Sequence, residues 1–374
     1  MPLHAKLFSA GNPALFPERV FFAGNILRTL EWDSAANELK MIDQRVLPSE
    51  FAHIYLDSPQ AVSDAIRDMA VRGAPAIGVA AAFGMVLAAF RSGESTVDGI
   101  KKDLQKSAAI LEKSRPTAVN LKWALNRMIS AAEKEFVSPD DLRNALLSEA
   151  QKMADEDVET NRKLASFGAE LIEDGDTIIH HCNTGALATV DWGTALGVIR
   201  MAHEQGKNIH ILVDETRPRL QGARLTAWEL SMYGIPYDII SDNAAGFFLS
   251  RGKANLVIFG ADRVARNGDV ANKIGTYMLS LAANANDVPV YCAFPVSTVD
   301  MEITSGNRIL IEERSQEEIL NLKYMDQPVA PENATAKNPA FDVTPANLIS
   351  AYITELGVIR HPFEKELSRL LEGS

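Results

Sequence analysis

From Gly175 onward, short β-rich runs alternate with helical stretches. The runs cover residues 177–181, 209–213, 237–240, 256–259 and 288–293, and helical patterns fill 194–205, 222–233, 244–252 and 270–284. Alternation at this spacing reads as βαβ units, and so as a parallel sheet. Such a sheet takes its ligands beyond the carboxyl ends of its strands. Four successive runs end in polar groups: Cys182-Asn183-Thr184, Asp214-Glu215-Thr216-Arg217, Asp242-Asn243 and Asp262-Arg263. For Asp214 and Asp242 the plain alternative is that they cap the helices that follow. No G-x-G-x-x-G follows any run, so the dinucleotide fingerprint is absent.

The part before Gly175 differs in character. Residues 27–32 and 38–43 are strand candidates around a turn, a small β-hairpin. Helical spacing then governs 61–71, 76–91, 97–111, 118–135 and 138–173, the last long enough to be two helices. The expected division is a mixed, mainly helical domain over 1–174 and an α/β domain over 175–374. Residues 73–90 are uncharged and long enough to span a membrane. Their alanine and glycine content, with Pro75 near the start, reads instead as a buried helix closely packed by its neighbours. Residues 326–345 are proline-rich and loop-like, and 345–356 suggests a closing helix.

The net charge of −12 argues against a broad nucleic-acid surface and gives no reason for adhesion to an anionic membrane. Two cysteines in 374 residues make no disulfide scaffold, and the opening residues lack an export signal, so a cytoplasmic location is expected. A few arginines still suffice to bind a small anion.

Cys182 follows a strand and precedes Asn183, Thr184 and Gly185. Amides at a helix start there would favour the thiolate, whereas a buried inert cysteine is the alternative. Cys292, inside the apolar run VYCAF, reads as inert. His180 and His181 suggest a metal, but strand neighbours point to opposite faces and no second ligand pair stands at zinc spacing. A Cys–His hydrolase stays open on residue types. Asp262 lies between apolar runs, where burial favours the neutral acid; the plain alternative is an ion pair with Arg263 or Arg266. Asn272 and Lys273 are expected to open a helix whose amides favour an anion. Arg72 and Arg115 each precede a helix and suit a phosphate clamp, and Gly73 lets a ligand approach the backbone closely.

Several long strings are similar to those of the methylthioribose-1-phosphate isomerases: VRGAPAIGVAAAFG, SRPTAVNL, HCNTGALAT, DETRPRLQGARLTAWEL and GADRVARNGDVANKIGTY. The shorter IDQRVLP, IEERS and FDVTPANLISAYITELGVI fit as well, so the resemblance runs from about Ile42 to Ile359. It implies a helical N-terminal domain joined to a Rossmann-like C-terminal domain, usually as a homodimer, with no metal and no organic cofactor. It implies conversion of S-methyl-5-thio-α-D-ribose 1-phosphate to the ribulose 1-phosphate in methionine salvage. Cys182 and Asp262 match the catalytic pair; Arg72, Gly73, Ala74, Arg115, Gln221, Asn272 and Lys273 match substrate-binding positions. Gln221 comes from the resemblance alone. Leu310 replaces the family's usual proline before IEER, and the leader to about residue 25 has no recognised counterpart. Two other functions share the fold: regulatory subunits of a translation-initiation exchange factor, and isomerases of ribose 1,5-bisphosphate or 5-deoxyribose 1-phosphate.

Overall fold

The computed structural model describes residues 28–115 and 118–372. The N-terminal leader and residue 27 of the first expected strand lie outside these. The chain opens with β1 (Leu30–Asp33), β2 (Glu38–Ile42) and β3 (His53–Leu56), an antiparallel three-stranded sheet rather than a two-stranded hairpin. At four residues, β3 is at the short limit of a run readable as a strand.

Five helices follow: α1 (Pro59–Arg67), α2 (Ala74–Arg91), α3 (Val97–Glu112), α4 (Val119–Glu133) and α5 (Pro139–Ala169). Helix α2 is buried over residues 76–89 and is wrapped by α1, α3, α4 and α5. It is long and apolar enough to cross a membrane, but here it forms the middle of the N-terminal core. Its small residues allow that: a Cβ on Gly78 would fall 3.0 Å from Asn120 O on α4. Helix α5 is one continuous helix of 31 residues, started by a Ser138/Asp141 capping box and Pro139. Its first half (Leu142, Leu146, Met153) packs into the helical core. Its second half (Leu164, Ala169) packs onto the large sheet.

That sheet and its crossovers comprise β4 (Thr177–His180), α6 (Ala195–Glu204), β5 (His210–Asp214), α7 (Ala227–Tyr233), β6 (Tyr237–Ile240), α8 (Ala245–Ser250) and β7 (Leu256–Phe259). Next come β8 (Arg263–Ala265), β9 (Val270–Lys273), α9 (Thr276–Asn284), β10 (Val290–Ala293) and β11 (Val299–Asp300). The chain ends with α10 (Glu317–Leu320), β12 (Lys323–Tyr324), β13 (Gln327–Pro328), β14 (Phe341–Thr344), β15 (Ala351–Thr354), β16 (Gly357–Ile359) and α11 (Phe363–Glu372). The large sheet runs β16-β15-β10-β7-β4-β5-β6, parallel except for the edge strand β16. From β4 the chain builds outward through β5 and β6, then returns to β7 on the other side. The order therefore reverses between β4 and β7, which opens a crevice at their carboxyl ends.

Two expected helices differ: one begins later than its spacing suggests, and the other is a strand. Residues 270–273 form β9 in a second, four-stranded sheet, β11-β8-β9-β14, and the helix begins only at Thr276. Val270, Ile274 and Met278 stand at helical spacing, but β9 takes its hydrogen bonds from β14, some seventy residues away. Gly275, at φ +104, then ends the strand. Residues 345–356 likewise give a short turn and β15, fully buried beside β10. A strand buried on both faces is apolar throughout and shows no alternation to separate it from a helix.

Candidate active site

Every one of the nine expected site residues lines a single pocket over the β4/β7 crevice: Arg72, Gly73, Ala74, Arg115, Cys182, Gln221, Asp262, Asn272 and Lys273. Met69, Thr298, Arg314 and Phe341 also line it, and sequence reasoning had given them no role. For Arg314 the signal was present in the string IEERS.

Cys182 leaves β4 with φ +67, a conformation uncommon for a residue with a side chain. Its backbone is held there on both sides. The amide donates to Thr216 Oγ1 at 2.9 Å, and the carbonyl accepts from Thr226 Oγ1 at 2.7 Å. Below it, Asn183 Nδ2 donates to Thr226 Oγ1 (3.1 Å) and to the buried Glu229 Oε1 (2.8 Å). Thr226 ends a π-helical turn, Gly222–Thr226, that leads into α7. That turn presses on the end of β5, where a Cβ on Gly222 would lie 1.7 Å from Asp214 O. The same turn delivers Gln221 to the pocket, buried, with its Oε1 lacking a partner. No local pattern in the sequence announces a π-turn, which is why Gln221 was reachable only through the resemblance.

Asp262 stands at the end of β7, its amide donating to Ala271 O on β9 (2.9 Å). The plain alternative fails: Arg263 faces Asp300 (3.4 Å) and Arg266 faces Glu364 (3.6 Å). Among the described residues no cation lies in ion-pair contact with the Asp262 carboxyl. Burial raises its pKa, opposed by Lys273, Arg115, Arg314 and Arg72.

Gly73 starts α2 at φ +97, where a Cβ would come within 2.3 Å of Ala188 O in the loop after β4. Only glycine lets the two halves of the chain meet this closely. The contact delivers Arg72, whose Nη1 donates to Asn183 O (2.8 Å) while Nε and Nη2 are buried without partners. Arg115 Nε is likewise unpartnered, and its Nη2 lies 3.6 Å from Glu312 Oε2. Lys273 Nζ donates to Ala340 O (2.7 Å) over the Phe341 ring. Burial pushes its pKa down to about 8, helped by Arg314. Buried donors without acceptors cost about 1–3 kcal/mol each. Their concentration around one pocket marks a place where an anion completes the structure.

Two electrostatic expectations need correction. Asn272 and Lys273 lie on β9, so no helix dipole acts through them. After Cys182 comes only a single turn, Ala186–Ala188, and burial raises the thiol's pKa, partly offset by Arg72 and Lys273. A helix-start thiolate is therefore not what the fold builds.

The histidines behave as structure. His180 Nδ1 pairs with Ile258 O (3.0 Å), and burial lowers its pKa to about 3. His181 is fixed between Asp214 Oδ2 (2.8 Å) and Ile274 O (3.0 Å). Neither ring makes a hydrogen bond to Cys182, so the Cys–His arrangement has no geometry among the described residues. The ligand atoms of His181, Asp214 and Asp242 lie within 4.8 Å of one another. Both Asp242 oxygens, however, accept amides, from Thr216 (2.6 Å) and Arg217 (2.7 Å). The cluster is a hydrogen-bonded clasp between neighbouring strand ends. Asp214 and Asp242 thus cap neither of their following helices.

A thiol and a raised carboxyl facing one pocket beneath several cations define an enzyme site for a small anion. Residues 70–361 match the Initiation factor 2 subunit family, and the chain belongs to it. Within it the chain groups with the methylthioribose-1-phosphate isomerases. It is 52% identical to that of Thermotoga neapolitana over 92% of this chain and 98% of the relative. It is 50% identical to methylthioribose-1-phosphate isomerase 2 of Pseudothermotoga lettingae, over 93% and 99%. The structure of 5-methylthioribose 1-phosphate isomerase from Pyrococcus horikoshii superposes with a TM-score of 0.85 at 44% identity, covering 93% and 96% of the two chains. Translation initiation factor eIF-2B, subunit delta, from A. fulgidus superposes with a TM-score of 0.82 at 45% identity, over 92% and 99%.

Proposed function

We propose that Cys182 and Asp262 carry an aldose–ketose isomerisation of S-methyl-5-thio-α-D-ribose 1-phosphate, with Arg72, Gly73, Ala74, Arg115, Gln221, Asn272 and Lys273 binding the substrate. The isomerase activity in methionine salvage is that of the chain's close relatives. The assignment of roles rests on one observation: thiol and carboxyl leave the two strands that flank the sheet's reversal point and line the same pocket.

The phosphate on the anomeric oxygen blocks the ring opening that frees an aldehyde in ordinary aldoses. An acid must therefore help the ring oxygen depart. A neutral Asp262 gives its proton to that oxygen as the C1–O bond breaks. Two routes then lead to the ketose. In one, a Cys182 thiolate takes the C2 proton, leaving a C1–C2 enol phosphate; the thiol returns the proton to C1, and Asp262 recovers one from the C2 hydroxyl. In the other, the C2 hydrogen moves to C1 as hydride, the C2 hydroxyl proton passes to Asp262, and Cys182 stays a neutral thiol beside the path. Burial raises the thiol's pKa, and a neutral thiol is the wrong form for deprotonating carbon. This favours the hydride route. Turnover in heavy water tests it: retention of the C2 hydrogen supports hydride transfer, and solvent deuterium at C1 supports the thiolate.

A second reading is a noncatalytic sugar-phosphate-binding protein, since a translation initiation factor shares the fold. Retention of Cys182 and Asp262 in a built pocket favours the enzyme, and a turnover assay decides. Among substrates, Met69, Pro295 and Phe341 give the pocket apolar lining, which suits a methylthio group better than a second phosphate. Rates on the thio sugar, ribose 1,5-bisphosphate and 5-deoxyribose 1-phosphate, compared side by side, test that preference. A division near residue 174, a Rossmann-like catalytic half, a cytoplasmic setting and a homodimer complete the proposal. Exposed Phe247 on α8 and Met278 and Leu281 on α9 support the last; sedimentation of the full chain checks it.

A further inference from the structure

Arg314 sits on the segment after β11, its side chain only 9% exposed, at the wall of the pocket. Its Nε donates to Glu312 Oε1 at 3.2 Å, and its Nη1 lies 3.6 Å from Met69 Sδ and 3.9 Å from Glu318 Oε1. Glu318 is held in turn by Arg219 at 3.0 Å. The other oxygen of Glu312, Oε2, lies 3.6 Å from Arg115 Nη2 and makes no hydrogen bond. One carboxylate therefore stands between two arginines from segments far apart in the chain.

That carboxylate does not balance the charge around it. Arg314 opposes the charged forms of both Arg115 and Lys273, after burial itself. Arg72 and Arg115 keep buried N–H groups without acceptors. The contact from Arg115 to Glu312 is also longer than the 2.7–2.9 Å or so of a charge-assisted hydrogen bond. Cations crowded this way in a low-dielectric pocket repel one another until an anion arrives.

We propose that Arg314 is a further binding residue for the anionic end of the substrate, and that Glu312 is the carboxylate with which that anion competes for Arg115 and Arg314. The proposal rests on the sugar-phosphate reading above and adds to it a cation from the C-terminal segment. A phosphate dianion entering the pocket offers three oxygens and twice the charge of Glu312, so both guanidinium groups gain by turning to it.

Inorganic phosphate serves as the probe, titrated calorimetrically into the full chain with no sugar present. Arg314→Ala should weaken phosphate binding ~10-fold or more and raise KM for the thio sugar in step, with kcat changed much less. Arg314→Lys, a point charge without the planar fork, should fall between, and it stands in if the alanine variant does not fold. Glu312→Gln should tighten phosphate several-fold by removing the competing charge. Unchanged phosphate affinity in both Arg314 variants overturns the binding role, as does failure of the wild type to bind phosphate. Weaker or unchanged binding in Glu312→Gln overturns the competition. If the wild type binds phosphate but turns over no thio sugar, the substrate reading fails while Arg314 is still tested.

Discussion

The helical core around α2 and the carboxyl lip of the large sheet are about equally buried, yet they are built on opposite principles. Around α2 nearly every buried side chain is apolar, and alanines and glycines let helices touch. At the lip the buried residues include Arg72, Cys182, Asn183, Thr216, Gln221, Glu229 and Lys273. Some of their polar atoms lack partners. The first region gains from every contact it makes. The second holds groups away from their preferred partners, in positions a ligand would complete. The helical core also serves the lip, because α2 begins at Gly73 and so fixes Arg72.

Substitutions in the two regions should therefore part stability from turnover. The largest effect is expected at the lip. Asp262→Asn removes the acid while keeping the shape, and should lower kcat by about 10²–10⁴-fold with substrate affinity and melting temperature nearly unchanged. Near-normal turnover would end its role as an acid. In the helical core, Phe83→Ala deletes a buried ring stacked on Trp32 and should cost about 3–5 kcal/mol of stability. Chemical denaturation measures this, and kcat of the folded fraction should hold. Arg72→Ala lies where the regions join. Losing a charged hydrogen-bonding group should weaken substrate binding ~10- to 100-fold, read as a rise in KM larger than any fall in kcat.

The smallest effect concerns pH. Asp157 on α5 accepts the Val190 amide (2.7 Å), and burial pushes its pKa from 3.8 up to about 7. A carboxyl raised on folding stabilises the folded state while it stays protonated. Its contribution is present below its ordinary pKa and is lost as pH rises through about 7. Asp157→Asn cannot ionise, so its stability relative to the wild type should improve between these limits, as denaturation at several pH values would show. A constant difference across that range would mean that Asp157 ionises normally. Asp262 adds the same sign to activity: turnover should fall as rising pH ionises the acid.

Much of the site was legible because strand ends are local. Runs such as TIIH and LVIF mark where strands stop, and the residues after them fall at the crevice whatever the loops do. Arg72 and Arg115 were legible as turns before helices. The failures came where partners are distant. β9 and β15 carry helical spacing, but β14 and β10 claim their backbone hydrogen bonds. Arg314 could be seen in the sequence but not placed, since nothing local says that residue 314 returns to residue 69.

The sequence by itself determined the class of fold, the buried character of α2, and the position of Cys182 and Asp262 just after two of the sheet's strands. Periodicity and chain punctuation are short-range, and these features depend on nothing further. Tertiary structure alone decided that Cys182 is a raised thiol in a left-handed turn, and that Gln221 arrives on a π-turn. It also decided that four cations from separate segments surround one pocket. Burial and charge crowding depend on which distant residues share a volume, and only the folded chain brings them together.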